Sequence, residues 1–140
     1  MFDEFIKSGK VRKGAPDLAL AKSLVTMSDA QFAFAASMEV TEQNTSPLLV
    51  NYYESLREIC EAICSKNGFK VYSHEAFTYY LKEYLHEERI SLKFDRLRKL
   101  RNGINYYGKG VNVIETKAAA ADVKLLIQEL KRKYISELIK

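Results

Sequence analysis

The 140-residue sequence contains only two cysteines, two histidines and two prolines. Cys60 and Cys64 lie four residues apart without the further cysteines of a secreted disulfide framework, so we predict two buried, reduced thiols in an intracellular protein. Neither His74 nor His86 lies at a zinc-ligand spacing from these cysteines, and the sequence therefore predicts no metal site. It also lacks a phosphate-binding loop, a dinucleotide fingerprint and a hydrolase nucleophile elbow, and we predict no cofactor.

Long apolar runs are absent as well. No stretch approaches the roughly 18 apolar residues that a membrane-spanning helix needs, and the opening MFDEFIKSGK lacks the pattern of a signal peptide. We therefore predict a soluble, cytoplasmic protein that does not bind membranes. The formal net charge of +4 is compatible with a polyanionic partner, but a charge of this size does not indicate one by itself.

Helical signals cover most of the chain, and no strand-like alternation of apolar and polar residues competes with them. Pro16 and Pro47 suit helix starts, where a missing N–H costs nothing. We predict an all-α fold, an up-down antiparallel bundle of about five helices over residues 16–140, preceded by residues 1–15 as a loosely held arm. The predicted helices span residues 16–37, 47–68, 74–85, 92–107 and about 113–138, with caps at Ser46, Ser73 and Ser91, stops at Gly68, Gly108 and Gly110, and a capping box of Asn112 and Glu115.

The first predicted helix is apolar on nearly every face. Such a helix lies either at the centre of a bundle or at a contact with a second subunit, and the sequence leaves both possibilities open. Its large apolar residues are Leu18, Leu20, Leu24, Val25, Met27, Phe32 and Phe34.

The segment RLRKLRNGINYYGKG, residues 96–110, carries several cations, two asparagines and two adjacent tyrosines. On a helix, one side of this segment is apolar, and a flank presents guanidinium, amide and phenol groups. Guanidinium groups bind phosphate oxygens and tyrosine rings stack on single-stranded bases, although a solvated helix face is the alternative. We predict that Leu97, Leu100, Ile104 and Tyr107 face the core and that Arg98, Arg101, Asn102, Asn105 and Tyr106 form the polar surface.

Within this segment, RNGINYY resembles the signature of the HEPN superfamily (higher eukaryotes and prokaryotes nucleotide-binding). The usual signature is Arg, a polar residue that is often Asn, three variable residues and then His. Arg101 and Asn102 match the first two positions, whereas Tyr106 stands where the family has His. A second stretch, YYESLREICEAICSKNGFKVYSHEAFTYYLKEYL (residues 52–85), is similar to the family's central helical hairpin. Together the two stretches cover much of residues 52–108.

The resemblance implies an all-α up-down bundle, commonly a homodimer with its two motif helices against each other. Many family members are metal-independent ribonucleases. Others bind RNA or nucleotides as partners of minimal nucleotidyltransferases in toxin–antitoxin pairs. By this resemblance, Arg101, Asn102 and Tyr106 occupy the catalytic motif in a degenerate form. The predicted binding residues are Arg98, Arg101, Asn102, Asn105, Tyr106 and His74.

The tyrosine in the motif changes the expected chemistry. In the active family form, the His assists removal of a proton from a ribose 2′-hydroxyl while the Arg stabilises charge on the phosphate. A tyrosine ordinarily has a pKa near 10, so about one phenol in a thousand is ionised at pH 7. Tyr106 is therefore a poor proton acceptor unless neighbouring arginines favour its ionised form. We predict a binding module of a nucleotidyltransferase-associated system with weak or absent nuclease activity.

Two alternatives stay open from the sequence. One is an active metal-independent endoribonuclease in which His74 or Tyr106 accepts the proton. The other is a non-enzymatic helical module for protein association, without a nucleic-acid partner. For His74 itself, ordering the turn before the third helix is the alternative to a role in the site. Carboxylates of the helices are predicted to lie on solvated faces without a paired acid and base; they are Glu58, Glu61, Glu75, Glu83, Glu87 and Glu88.

Overall fold

The computed structural model describes residues 1–139. Its elements in chain order are α1 (Phe2–Lys7), β1 (Val11–Lys13), α2 (Leu18–Ala36), α3 (Thr45–Lys66), β2 (Phe69–Val71), α4 (His74–Tyr79), α5 (Glu88–Tyr107) and α6 (Val113–Tyr134). A π-helical turn at Tyr80–Tyr84 extends α4, and a 3-10 turn at Ser136–Leu138 follows α6. The predicted all-α antiparallel bundle is confirmed, with α1 and a small two-stranded ladder in addition. No helix in the described chain is both long enough and apolar enough to span a membrane.

Helix α3 forms the centre of the bundle because apolar side chains surround most of its axis. It packs against α2, α4, α5 and α6. Leu49, Leu56 and Ile63 are at most 1% exposed, so the apolar stripe read from the sequence lies in the core. Cys60 and Cys64 are buried free thiols on the same helix, as predicted, and burial raises the pKa of both.

Helix α2 packs along α3 without being enclosed by the bundle. Ser28 Oγ donates to the Ser55 carbonyl oxygen at 2.6 Å, which fixes one face of α2 against α3. On the other side, Met27 and Phe34 are 50% and 54% exposed. A central position for this helix, one of the two possibilities that its composition left open, is therefore wrong. A contact with a second subunit stays a prediction.

The segment before α2 is not the loosely held arm that we predicted. Phe2 and Phe5 are only 4% and 5% exposed. The Phe2 ring meets the rings of Phe69 and Tyr80 edge-on, with centroids 5.4 and 5.3 Å apart. These aromatic contacts hold α1 against the bundle, because each buried ring removes a large apolar area from water.

The two strands pair antiparallel although no strand-like alternation is present in the sequence. Three-residue strands are too short to show a period of two. Gly68, just before β2, has a φ of +84°, and a Cβ there would lie 2.4 Å from the Gly14 carbonyl oxygen. A glycine is therefore required where the two segments meet. The paired residues are Val11 with Val71, Arg12 with Lys70, and Lys13 with Phe69.

Several helix ends differ from the prediction. Helix α2 begins after Asp17, whose carboxylate accepts a backbone N–H of the first turn at 3.0 Å. Helix α3 begins before Pro47, and α5 begins before Ser91, which is buried inside the helix and does not cap it. The left-handed stops at Gly68 and Gly108 and the capping box of α6 are confirmed. The capping box and these two glycines thus located their helix boundaries, whereas the predicted caps at Ser46 and Ser91 did not.

Glu58 lies in the core and not on a solvated face, contrary to the prediction. It is 1% exposed, and its Oε1 is buried without a hydrogen-bond partner among the described residues. Burial raises the pKa of Glu58 to about 7; the Arg57 charge lowers it, and the charges of Glu54 and Glu61 raise it. In an unfolded chain a glutamate has a pKa near 4.3. Between about pH 4.3 and 7 the folded chain therefore keeps a proton that the unfolded chain loses, so stability falls as the pH rises through this window.

We predict that Glu58→Gln stabilises the protein at pH 8 by about 1–3 kcal/mol, because the buried carboxyl group no longer has to ionise. At pH 4 the carboxyl group is largely protonated in both states, and the variant should match the wild type. Urea unfolding at the two pH values measures the difference. Glu42→Gln, at an exposed position, is the control. An equal effect of Glu58→Gln at both pH values would contradict the prediction.

Candidate functional site

The predicted site residues lie in the C-terminal half of α5, except for His74, which begins α4. Helix α5 ends at Gly108, and its last turn lies outside the core: Tyr106 is 68% exposed. Tyr107, which we predicted to face the core, is 75% exposed for the same reason. Leu97, Leu100 and Ile104 do pack against the core. The partly buried site residues are Arg98, Arg101, Asn102 and His74, and the exposed ones are Asn105 and Tyr106.

Arg98 is compensated by carboxylates of its own chain. Its Nε and one terminal nitrogen donate to Asp95 Oδ1 at 2.9 and 2.8 Å, and Glu75 Oε2 lies 3.7 Å away. The Arg98 side chain is only 11% exposed. Partial burial raises the pKa of Asp95, but hydrogen bonds from Arg98, Lys99 and Thr78 outweigh it and lower the pKa overall. Arg98 thus ties α5 to α4.

Arg101 has no acidic partner. It makes no ion pair within residues 1–139, and one terminal nitrogen donates to Asn102 Oδ1 at 3.2 Å. Its guanidinium carbon lies 5.7 Å from the ring centroid of Tyr53 and 5.8 Å from that of Tyr106. The Nε of Arg101 is buried without a hydrogen-bond partner. The ring faces attract the cation, and no carboxylate of the described chain lies within ion-pair distance of it.

Tyr53 connects Arg101 to His74. The Tyr53 side chain is fully buried, and its hydroxyl oxygen lies 3.0 Å from His74 Nδ1. Burial raises the pKa of Tyr53, so this phenol is protonated at neutral pH. Burial, together with the positive charges of Arg57 and Arg101, lowers the pKa of His74 to about 4. The imidazole is therefore neutral at pH 7.

A neutral His74 is poorly suited to taking a proton from a substrate. A general base works best when its pKa lies near the operating pH, and a pKa of about 4 is well below it. When the Tyr53 hydroxyl donates to Nδ1, the single proton of the neutral ring lies on Nε2. In that tautomer Nε2 donates to a ligand oxygen and does not accept a proton. This geometry favours binding over proton abstraction.

Helix α3 carries an arginine–glutamate cluster that we did not predict from the sequence. Arg57 donates to both carboxylate oxygens of Glu54, at 2.7 and 3.1 Å, and to Glu61 Oε1 at 3.1 Å. Burial raises the pKa of Glu54, but the hydrogen bond and charge of Arg57, with the charges of His74 and Arg101, lower it overall. Glu54 therefore belongs to the same electrostatic cluster as the site. The spacings of three and four residues were the available signal, and Glu61 is paired rather than simply solvated.

An open cavity of about 460 Å³ adjoins the site beside α5. Its volume falls in the range of roughly 300–1,000 Å³ that ligand pockets occupy. Asn102 links this cavity to Arg101, because its Oδ1 accepts from Arg101 while the residue lines the cavity wall. The polar lining residues are Arg98, Lys99, Asn102, Tyr107, Lys109 and Glu115.

The structure brings together four of the six predicted residues. Arg101 contacts Asn102 and the Tyr106 ring directly, and His74 adjoins them through Tyr53. Asn105 is exposed and forms no side-chain hydrogen bond within residues 1–139. Tyr53, which contacts both His74 and Arg101, was not among the residues predicted from the sequence.

Comparison of the chain with known protein families, with curated proteins and with solved structures found no match. The resemblance to the HEPN superfamily therefore stays a prediction, together with the activity and the partners that it implies. The function has to be inferred from the geometry of the side chains.

We predict that the His74 ring titrates near pH 4, because burial and three arginine charges oppose its protonation. Two-dimensional NMR of the imidazole resonances measures the midpoint. The measurement uses an H86Q background, in which His74 is the only histidine. A midpoint near 6.5, the value for an unperturbed histidine, would be incompatible with the buried environment described for His74.

Proposed function

We propose that this chain is an RNA- or nucleotide-binding module in which Arg101 binds phosphate and Tyr106 stacks on a base. The observation that carries the proposal is the state of Arg101. It is partly buried and lies between two tyrosine rings, without an ion pair in the described chain. A cation held in this way retains its charge for an anionic ligand.

The neighbouring groups suit the same ligand. Asn102 positions the guanidinium by accepting from it at 3.2 Å. Tyr106 presents an exposed ring, and base–aromatic stacking tolerates every base because each has a π-face. Lys109 lines the adjoining cavity and makes no ion pair within residues 1–139, so it adds a second cation for phosphate. Together these groups suit a ligand that carries both a phosphate and an aromatic base.

Binding without efficient cleavage is the activity that we propose. Strand cleavage through a 2′-hydroxyl needs a proton acceptor with a pKa near neutrality. The lowered pKa of His74 and its contact with Tyr53 weigh against that role. The proposal is thus a degenerate HEPN-like module, and the active endoribonuclease is the less supported alternative.

The resemblance also leads us to propose a homodimer and a nucleotidyltransferase-type protein partner in a toxin–antitoxin system. The exposed side of α2 offers apolar side chains for a protein contact, including Met27 and Phe34. Exposed apolar side chains of this size are compatible with association but do not identify the partner. This surface is also what supports the alternative of a pure protein-association module.

We predict that Arg101→Ala lowers the affinity for single-stranded RNA about tenfold or more at low salt, since it removes a charge-assisted phosphate contact. Fluorescence anisotropy with a labelled oligonucleotide measures the affinity. Arg96→Ala is the matched control: Arg96 is exposed on another face of the same helix and makes no ion pair in the described chain. Equal affinities of the two variants would refute the proposal, and RNA cleavage that survives a chelator would favour the endoribonuclease.

We predict that Tyr106→Ala weakens RNA binding by about 1–3 kcal/mol, the contribution of one stacked base, whereas Tyr106→Phe binds like the wild type. The phenylalanine keeps the ring and loses only the hydroxyl group. The same anisotropy titration compares the two variants. A loss of affinity in both would assign the contact to the hydroxyl group, and no loss in either would remove Tyr106 from the binding surface.

A further inference from the structure

The two-stranded ladder carries an exposed face that the proposed site does not include. Arg12 lies directly opposite Lys70, and the Tyr72 N–H donates to the Lys10 carbonyl oxygen at 2.8 Å, so the same register continues for one more pair. Alternate residues of a strand point to the same side. We call these four side chains, Lys10, Arg12, Lys70 and Tyr72, the ladder face; all four are exposed.

The charges of the ladder face are not explained by the stability of the fold. Arg12 and Lys70 are like charges on directly opposed residues, which destabilises a strand pair. Neither makes an ion pair within residues 1–139, and the same holds for Lys10. Arg12 instead lies with its guanidinium carbon 5.9 Å from the exposed ring of Tyr72. Two three-residue strands have little pairing energy with which to offset such repulsion.

A shallow cavity beside the ladder is also lined by cationic side chains. It measures about 180 Å³ and is lined by Arg12, Lys13 and Lys70. Asp17 is the acidic residue of its lining, and the Asp17 carboxylate accepts the first-turn N–H of Leu20 at 3.0 Å. The cations around this cavity are therefore available to an anion.

The ladder face adjoins the proposed site. Only two residues lie between Val71 at the end of β2 and His74, so the two Cα atoms are at most about 11 Å apart along extended chain. Lys10 lines a cavity together with Glu75, whose carboxylate lies 3.7 Å from the Arg98 guanidinium.

We infer that the ladder face binds the phosphates of a single-stranded RNA that also occupies the site at Arg101 and Tyr106. This inference rests on the proposed function and deepens it, because it makes the ligand an oligonucleotide and not a mononucleotide. Exposed tyrosine rings on both surfaces, Tyr72 and Tyr106, suit bases that are not already stacked in a duplex. A lipid surface is less suited, since the ladder face has no exposed aliphatic side chain to insert.

The test compares two double variants that each remove one arginine and one lysine charge. Arg12→Gln with Lys70→Gln neutralises the ladder face, and Lys22→Gln with Arg132→Gln neutralises exposed cations on α2 and α6 that make no ion pair in the described chain. Anisotropy is measured with labelled oligouridine of about ten nucleotides, within the range of known single-strand sites. Binding of uridine monophosphate is followed by NMR.

The ladder variant should bind oligouridine about tenfold more weakly at low salt and reduce the slope of log K against log salt by about 1.4, the value for two phosphate contacts on a single strand. It should bind uridine monophosphate like the wild type, and the control variant should bind both ligands unchanged. Because the ladder variant removes a repulsive pair, its melting temperature should be equal to or higher than that of the wild type. Weaker binding by the ladder variant would then not be a sign of misfolding.

Other outcomes separate the two proposals. If the ladder variant binds oligouridine like the control, the ladder inference is wrong and the site at Arg101 is unaffected. If Arg101→Ala binds both ligands like the wild type, the proposed function fails, and the inference that depends on it fails as well. If the wild type binds phosphatidylserine vesicles and not oligouridine, and the ladder variant loses that binding, the ladder face is a lipid surface and the inference is overturned.

Discussion

The buried ring of Tyr53 joins the three helices on which the candidate site is built. It belongs to α3, its ring lies 5.6 Å from that of Phe94 on α5, and its hydroxyl group meets His74 at the start of α4. Arg101 lies over the same ring at 5.7 Å. A buried phenol needs a hydrogen-bond partner, and an arginine beside a ring face gains electrostatic attraction. The packing of the core therefore fixes where the imidazole and the guanidinium stand, and no loop has to position them.

The arginines around this ring differ in how their charges are compensated. Arg57 and Arg98 each have carboxylate partners within hydrogen-bond distance, Glu54 and Asp95, and so join neighbouring helical turns. Arg101 has none within the described chain, and its buried Nε lacks a partner, which costs about 1–3 kcal/mol. A fold selected for stability alone would place a carboxylate there, as it does beside the other two. Among the arginines around this ring, Arg101 is therefore the one that the proposed function assigns to an anionic ligand.

Signals that depend on neighbours in the sequence predicted the fold well. The apolar period of α3, the glycine stops and the capping box all involve residues within a few turns of one another. The failures involve distant partners: Phe2 is buried by aromatic rings far along the chain, and the ladder pairs two segments separated by two helices. The contacts of the candidate site also fall into those between sequence neighbours and those between distant residues. The pairing of Asp95 with Arg98 follows from a spacing of three residues, whereas the contact between Tyr53 and His74 exists only in the fold.

Two features of the proposed site both disfavour proton abstraction. Tyr106 stands at the position where the HEPN signature, which this segment resembles, has a histidine. The nearby imidazole of His74 is hydrogen-bonded to Tyr53 and has a pKa of about 4. His74 is therefore a poor proton acceptor at neutral pH. The donors that hold an anion are present at the same time, in the Arg101 guanidinium and the amide of Asn102 beside it. Cleavage needs a base, whereas binding needs only donors in fixed positions. Under the proposed function, a chain with these donors and without such a base would act by binding its ligand, so its effect would depend on affinity and concentration and not on turnover.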